Sequence, residues 1–178
     1  MEISRIIKKL TNSNKFIDWH KNNSNYYLAH VFLMDNQDIQ IGYYNPDTDK
    51  IISFIIKINL NDVDKYTNFI ENEDVDDFIQ IIDAQEAFKE SGKISELNLN
   101  NIKTNLDEVL NFTNSFFEKN YSEVITKKMI ILQVIEEDTI YNFTYITKSL
   151  NFVNIKVNAL NLDVISHKKE SILNLKKS

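Results

Sequence analysis

The last third of the chain carries the pattern that most constrains the fold. It contains three runs rich in β-branched and aromatic residues, separated by short polar breaks; the runs are 127–135, 139–147 and 150–158. In the third run Val153, Ile155 and Val157 alternate with polar residues, which is the period of two of a β-strand. The pattern predicts an antiparallel meander closed by a short strand that ends near His167. One face of such a sheet is dry and needs a helix or a second sheet over it.

The front of the chain repeats this order of elements at an offset of about 100 residues. Apolar residues at helical spacing predict a helix over 2–20, which the polar residues near its middle would divide into two, and a second helix over 105–119. Three strands are expected after the first helix, at 26–34, 39–44 and 51–59. The matching order predicts a structural duplication. The alternative is that two meanders arose independently.

These elements divide the chain into two units and a connection. Residues 1–72 form the first unit, which ends in a short helix that begins at Asn61, and residues 105–178 form the second. In the connection, 73–104, we expect a strand or helix at 77–82, a helix at 84–91 and a short strand at 94–99. The expected fold class is α+β, with helices on one face of each sheet. Because no Pro/Gly-rich linker separates the units, we expect them to pack closely, and one compact domain is the open alternative.

Composition narrows the classes of function. The 178 residues carry a net charge of −6 and no cysteine. Disulfides, thiolate metal sites and cysteine nucleophiles are therefore excluded. An acidic chain has no general attraction to phosphate backbones or anionic lipid, so we expect neither a nucleic-acid nor a membrane partner. Since no apolar stretch has the length of a signal peptide or a membrane span, the expected location is cytoplasmic. The clustered lysines near the end of the chain, Lys168 and Lys169 among them, are expected in a solvated tail.

Two segments resemble PepSY-like domains. One is the helix 106–117 that leads into the meander, and the other is Val157-Asn-Ala-Leu-Asn-Leu-Asp-Val164. The family's ending at this point is Val-Asp, two residues, Thr-Gly, an acidic or polar residue and Val. Here Asn158 replaces the Asp, Asn161 the Thr and Leu162 the Gly, which normally occupies a turn where positive φ is easiest. The resemblance implies a non-catalytic module, associated in the family with peptidase inhibition or with regulatory and binding roles.

The residues show no motif for catalysis, a cofactor or a metal. Three histidines, His20, His30 and His167, are far apart in sequence and lack metal-ligand spacing. His30 is expected as a packed side chain on the strand face of Leu28 and Phe32. Trp19 and His20 either border a pocket or anchor the first helix to its sheet. We therefore expect a protein that is not an enzyme and has no cofactor and no metal.

One candidate surface emerges from the second run of the rear meander. Tyr141, Phe143 and Tyr145 share one strand face, and they would be exposed to a partner if Ile140, Thr144 and Ile146 pointed inward. The alternative is that the aromatic side chains face the core.

Two hypotheses for the function follow. The first is a module that binds a protein or peptide through an exposed sheet edge or an aromatic face. The second is a small-molecule site or enzyme with a pocket between a curved sheet and its helix. A homodimer formed through edge strands is a third alternative.

Overall fold

Eight antiparallel strands form one sheet. The computed structural model describes residues 1–59, 61–86 and 94–171. The strands are β1 (Tyr27–Met34), β2 (Ile39–Asn45), β3 (Lys50–Ile56), β4 (Ile79–Glu86), β5 (Ile125–Ile135), β6 (Asp138–Thr147), β7 (Asn151–Asn158) and β8 (Val164–Ser171). Their order across the sheet is β4-β3-β2-β1-β5-β6-β7-β8. The protein is therefore α+β with an antiparallel sheet, as expected from the alternating patterns.

The expected separate sheets of the two meanders are one continuous sheet instead. β1 pairs with β5 in antiparallel register, so that Val31 lies opposite Leu132 and Leu33 opposite Ile130. Each of these strands begins its own meander and would otherwise present an edge of unpaired N–H and C=O groups. Pairing between the two satisfies these groups and buries four apolar side chains at the centre of the sheet.

Four helices belong to the described residues. They are α1 (Ile3–Thr11), α2 (Asn14–Lys21), α3 (Val63–Glu71) and α4 (Leu106–Asn120). The helix expected over 2–20 is two helices because Ser13 ends one and begins the other. Its hydroxyl donates to the Leu10 carbonyl at 2.7 Å and accepts from the Phe16 amide at 3.2 Å. α3 begins after Asp62, not Asn61, since the Asp62 carboxylate accepts from the Lys65 amide at 2.9 Å.

The apolar stripes of the helices cover one face of the sheet, which we call the covered face. On α1, Ile3, Ile6, Ile7 and Leu10 are at most 3% exposed. Such side chains each contribute about 1.5–3 kcal/mol by leaving water. Farther along, Phe16 of α2 contacts Tyr43, and Phe117 of α4 contacts Tyr145 with ring centroids 4.7 Å apart. The helices thus join both halves of the sheet in one apolar core.

The connection between the two meanders differs from the sequence expectation. β4 includes residues 84–86, where a helix was expected, and the remainder of that expected helix, 87–91, lies outside the described residues. Residues 94–98 have no regular secondary structure and are not a strand. Instead, Leu97 is buried and its amide donates to the Leu28 carbonyl at 2.8 Å. Burial of single apolar side chains therefore holds this segment against the core.

The last strand extends beyond its expected end. Lys168 and Lys169 belong to β8 and not to a solvated tail. The Lys169 ammonium lies 2.7 Å from the Glu123 carboxylate and holds the pKa of Glu123 at about 2. Before β8, Leu162 has φ 65°, so the turn adopts the left-handed conformation at the position where PepSY-like endings have glycine.

Candidate functional site

The three aromatic residues of the predicted partner surface lie in the core. Tyr141, Phe143 and Tyr145 are each 0% exposed. Their Cα partners on β7 are Val157, Ile155 and Val153, the alternating apolar residues of the covered face. The expectation of an exposed aromatic surface is therefore wrong, because the β6–β7 register places these rings with the apolar residues of β7 in the core.

The hydroxyl groups of Tyr141 and Tyr145 are buried in the core. Burial raises the pKa of Tyr141 to about 12, and burial also raises the pKa of Tyr145. The Tyr145 hydroxyl donates to the Asn114 side chain at 3.2 Å, and the buried Tyr141 hydroxyl lies near the Thr104 side chain. Both groups remain protonated at neutral pH, and neither is a candidate for acid–base chemistry.

The three histidines occupy separate places in the fold. His167 of β8 accepts or donates a 2.7 Å hydrogen bond to the Tyr121 hydroxyl, and His20 stacks on Phe16. His30 lies on the sheet face opposite the helices, while Leu28 is on the covered face because the register between β1 and β2 shifts between these residues. The expectation that His30 and Leu28 share a face is therefore wrong. Within the described ranges, no three His, Asp or Glu side chains converge as metal ligands.

The sheet face opposite the helices, which we call the uncovered face, carries an unusual number of apolar side chains. Its centre is a group of four partly exposed residues that we call the central patch: Phe32, Met34, Met129 and Ile131. Phe32 lies opposite Ile131, and Met34 lies opposite Met129, across the β1–β5 pair. Within the described chain, none of the four belongs to the core or packs against it. Two unbranched thioether side chains make such a patch adaptable in shape.

Lysines lie at one side of the central patch, across two rows of paired residues. One row runs from Phe32 through Ile131 and Asn142 to Lys156. At about 4.8 Å per strand, Lys156 is about 10 Å from Ile131. The second row runs from the methionine pair through polar residues to Lys168; it consists of Met34, Met129, Thr144, Asn154 and Lys168. Each row therefore begins with apolar side chains, continues with amide or hydroxyl side chains and ends at a lysine.

The cations on the uncovered face are only partly neutralised. Lys168 forms an ion pair with Glu170 at 3.1 Å. Lys127 and Lys156 have no ion-pair partner among the described residues, and Lys156 is partly buried. In a chain of net charge −6, this is a local excess of positive charge beside an apolar surface. Such an arrangement is suited to a ligand that combines apolar groups with carboxylates.

Sequence reasoning missed the central patch although a signal was present. In β1 and β5 apolar residues occupy odd and even positions alike, so they point to both faces of the sheet; examples are Val31-Phe32-Leu33-Met34 and Met129-Ile-Ile-Leu132. A strand of this kind is either buried on both faces or apolar on a face that has no cover. Alternation in β7 is clear and was read correctly, with Lys156 on the polar face. The continuous apolar runs were read only as strands.

Comparisons with known proteins add a single likeness. No family model and no curated protein matches the chain. Among solved structures, the chain is similar to the crystal structure of a "putative lipoprotein" from Clostridium difficile 630, with 11% sequence identity and a TM-score of 0.49. The match covers 88% of this chain and 91% of that chain. In the described part of the chain, every helix is too short or too polar to span a membrane.

Proposed function

We propose that the protein is a non-catalytic binding module that receives an acidic protein segment on the uncovered face of its sheet. The observation that carries the proposal is the central patch beside unpaired lysines. Partly exposed apolar side chains that are not part of the core gain free energy when a partner removes them from water, about 25 cal/mol per Å². A contiguous apolar group on a sheet surface therefore marks a binding surface better than isolated exposed residues.

The charge of the face selects the partner. Lys127 and Lys156 attract carboxylates; Lys127 lies on β5, two residues before Met129, and Lys156 lies on β7, two strands from Ile131. A segment with apolar side chains on the patch and acidic side chains about 10–15 Å away would satisfy both features. A basic segment would meet like charges. We therefore propose an acidic, amphipathic protein or peptide as the occupant.

We also propose that the sheet is built from two copies of one helix-plus-meander plan, of the PepSY-like type. Matched contacts support this layout. Phe16 contacts Tyr43 at 5.1 Å in the front half, and Phe117 contacts Tyr145 at 4.7 Å in the rear half. The first two turns match as well: positive φ occurs at Asn36 and Asp49 in the front half and at Glu136 and Leu150 in the rear half, where the turn before β8 adds Leu162. In this layout the central patch lies where the two copies meet.

Selection of displayed random peptides tests the binding function. Panned on the wild-type protein, the library should yield peptides rich in Asp or Glu with two or more apolar residues. These peptides should bind Lys156→Glu about tenfold more weakly, and the double variant Phe32→Thr/Ile131→Thr still more weakly. Binding should also weaken as salt is added. Lys119→Glu is the matched control, since it makes the same charge change at an exposed position on α4. This variant should bind the peptides as the wild type does.

The alternatives give different results. Enriched peptides that are neutral or basic, or that bind all variants equally, would contradict the proposal. A homodimer in sedimentation that the double variant abolishes would assign the uncovered face to a second copy of the chain instead. Thermal unfolding of each variant shows whether the fold is retained, which we expect because the substituted side chains are partly exposed.

A further inference from the structure

A groove on the other side of the sheet forms a second site, independent of the uncovered face. It has a volume of about 670 Å³ and is open to solvent. We call it the aromatic groove; it is lined by Ile7, Thr11, Phe16, His20, Tyr26, Tyr27, Leu28, Tyr43, Glu96, Leu97, Asn98 and Leu99. It therefore lies between α1 and α2 on one side and the connection before α4 on the other.

Local hydrogen bonds hold the walls of the groove in place. Ser13 fixes the bend between α1 and α2, which brings Phe16 onto Tyr43. On the opposite wall, the Tyr27 hydroxyl donates to the Ile94 carbonyl at 2.7 Å, and the Leu97 amide donates to the Leu28 carbonyl at 2.8 Å. Leu97 is 2% exposed and anchors this wall in the core. Contacts within the chain thus fix the walls of the groove.

Aromatic rings dominate the groove and the layer directly beneath it. Trp19 contacts Phe16 at 5.3 Å, and it meets Tyr26 and Tyr43 edge to face at 5.4 and 5.6 Å. Its indole N–H is buried and finds no acceptor among the described residues. The faces of such rings carry partial negative charge.

The charged lining of the groove has one sign. Glu96 supplies a carboxylate, and the lining residues of the described chain include no lysine or arginine. An anionic ligand would find no lysine or arginine there, whereas a cation would meet both π faces and a carboxylate. A primary ammonium needs hydrogen-bond acceptors for each of its three N–H groups, but a quaternary ammonium needs none. The lining therefore suits a cation with alkyl substituents.

We propose that the aromatic groove binds a small organic cation of the quaternary ammonium class. The partly exposed ring of Tyr26 receives the alkyl groups around the nitrogen beside the small exposed parts of Phe16 and Tyr43, and Glu96 balances the charge from the solvent side. Such recognition combines cation–π attraction with burial of the alkyl groups.

Fluorescence of Trp19, the one tryptophan of the chain, provides the test. Choline is the probe, and its neutral carbon isostere, in which a tert-butyl group replaces the trimethylammonium group, is the comparison ligand. Choline at millimolar concentration should shift the emission of Trp19, and the isostere should bind at least threefold more weakly. Glu96→Gln should weaken choline binding about threefold. Tyr26→Leu, which keeps an apolar side chain but removes the π face, should have a similar effect.

Matched controls separate this site from general effects. Glu108→Gln removes an exposed carboxylate on α4 and should leave choline binding unchanged. Lys156→Glu on the uncovered face should also leave it unchanged, so failure of one proposal is distinguishable from failure of the other. Equal binding of choline and the isostere, no effect of Glu96→Gln, or an emission spectrum that choline does not change would each overturn the proposal.

Discussion

The front half of the sheet, β1–β4, and the rear half, β5–β8, each consist of four antiparallel strands and differ in the helices that cover them. The pairing of β1 with β5 places Val31 opposite Leu132 and Leu33 opposite Ile130. Tyr43 of β2 and Tyr145 of β6 each contact a phenylalanine of a helix, Phe16 in the front half and Phe117 in the rear half. The helices differ: a bend at Ser13 divides α1 from α2, whereas α4 is unbroken over 15 residues. Similar aromatic contacts thus stabilise both halves, and the bend between α1 and α2 shapes the groove of the front half.

The largest expected difference between the two halves is the loss of stability when the core phenylalanine of each half is truncated. Phe117→Ala should lower the free energy of unfolding by about 4 kcal/mol, and Phe16→Ala by about 3 kcal/mol. Phe117 is 1% exposed in a closed environment, but Phe16 is 6% exposed and lines the aromatic groove, so the space left by Phe16 is open to water. Urea unfolding measures both values. An equal or larger loss of unfolding free energy for Phe16→Ala would contradict the idea that the open groove lowers the cost of truncation in the front half.

A second difference lies on the uncovered face, where the two halves place unlike pairs at matching positions. In the front half His30 lies opposite Gly42, and in the rear half Met129 lies opposite Thr144. A Cβ at Gly42 would lie 2.2 Å from the His30 ring, so the ring occupies the space that a side chain would need. Gly42→Ala should therefore lower the free energy of unfolding by about 2 kcal/mol. Thr144→Ser, the matched control, should change it by at most about 0.5 kcal/mol.

Two further measurements sharpen the prediction for Gly42. In a His30→Ala background, Gly42→Ala should cost much less, and additive losses would contradict the contact. Burial lowers the pKa of His30, so the folded state favours the neutral ring. The stability that this provides is present above pH 6.5 and is lost as pH falls through the lowered pKa. Gly42→Ala should displace the ring and return the pKa toward 6.5, which NMR titration of the imidazole detects.

The sequence was sufficient for elements whose signals are local. The strands of both meanders and α4 were predicted because their apolar periodicity and the Asn105 cap depend on neighbouring residues. The pairing of β1 with β5 was not, since it joins residues about 100 positions apart and no local pattern encodes it. The face of Tyr141, Phe143 and Tyr145 was left open because both parities of β6 contain apolar residues. Pairing with Val153, Ile155 and Val157, which were assigned correctly, would have decided it.

The candidate sites depend on the same non-local information. The central patch brings Phe32 and Ile131 together only because β1 and β5 pair. The aromatic groove needs Glu96, which lies within the segment 94–99 that was wrongly predicted as a strand. Trp19 and His20 were recognised as residues at the border of a pocket or as a helix anchor, and the structure shows both roles: His20 lines the groove and Trp19 packs on Phe54.

The smallest expected effect is a difference in stability when the residue with positive φ is changed in two corresponding turns. Asp49 in the front half and Leu150 in the rear half follow the second strand of each meander, with φ 56° and 57°. Aspartate tolerates this conformation, and the Asp49 carboxylate accepts from the Tyr44 hydroxyl at 2.7 Å. Leu150 is 52% exposed and gains little from packing, so it bears the left-handed backbone cost without compensation.

Leu150→Gly should therefore raise the free energy of unfolding by about 0.5–1 kcal/mol, the relief of strain less the greater entropy of glycine in the unfolded chain. Its amide retains the hydrogen bond to the Thr147 carbonyl at 3.0 Å. Asp49→Gly should not stabilise the protein, because it loses the bond from Tyr44. Urea midpoints at constant slope measure the pair. A loss of stability for Leu150→Gly would mean that the leucine side chain, and not its backbone, determines the energy of the rear turn.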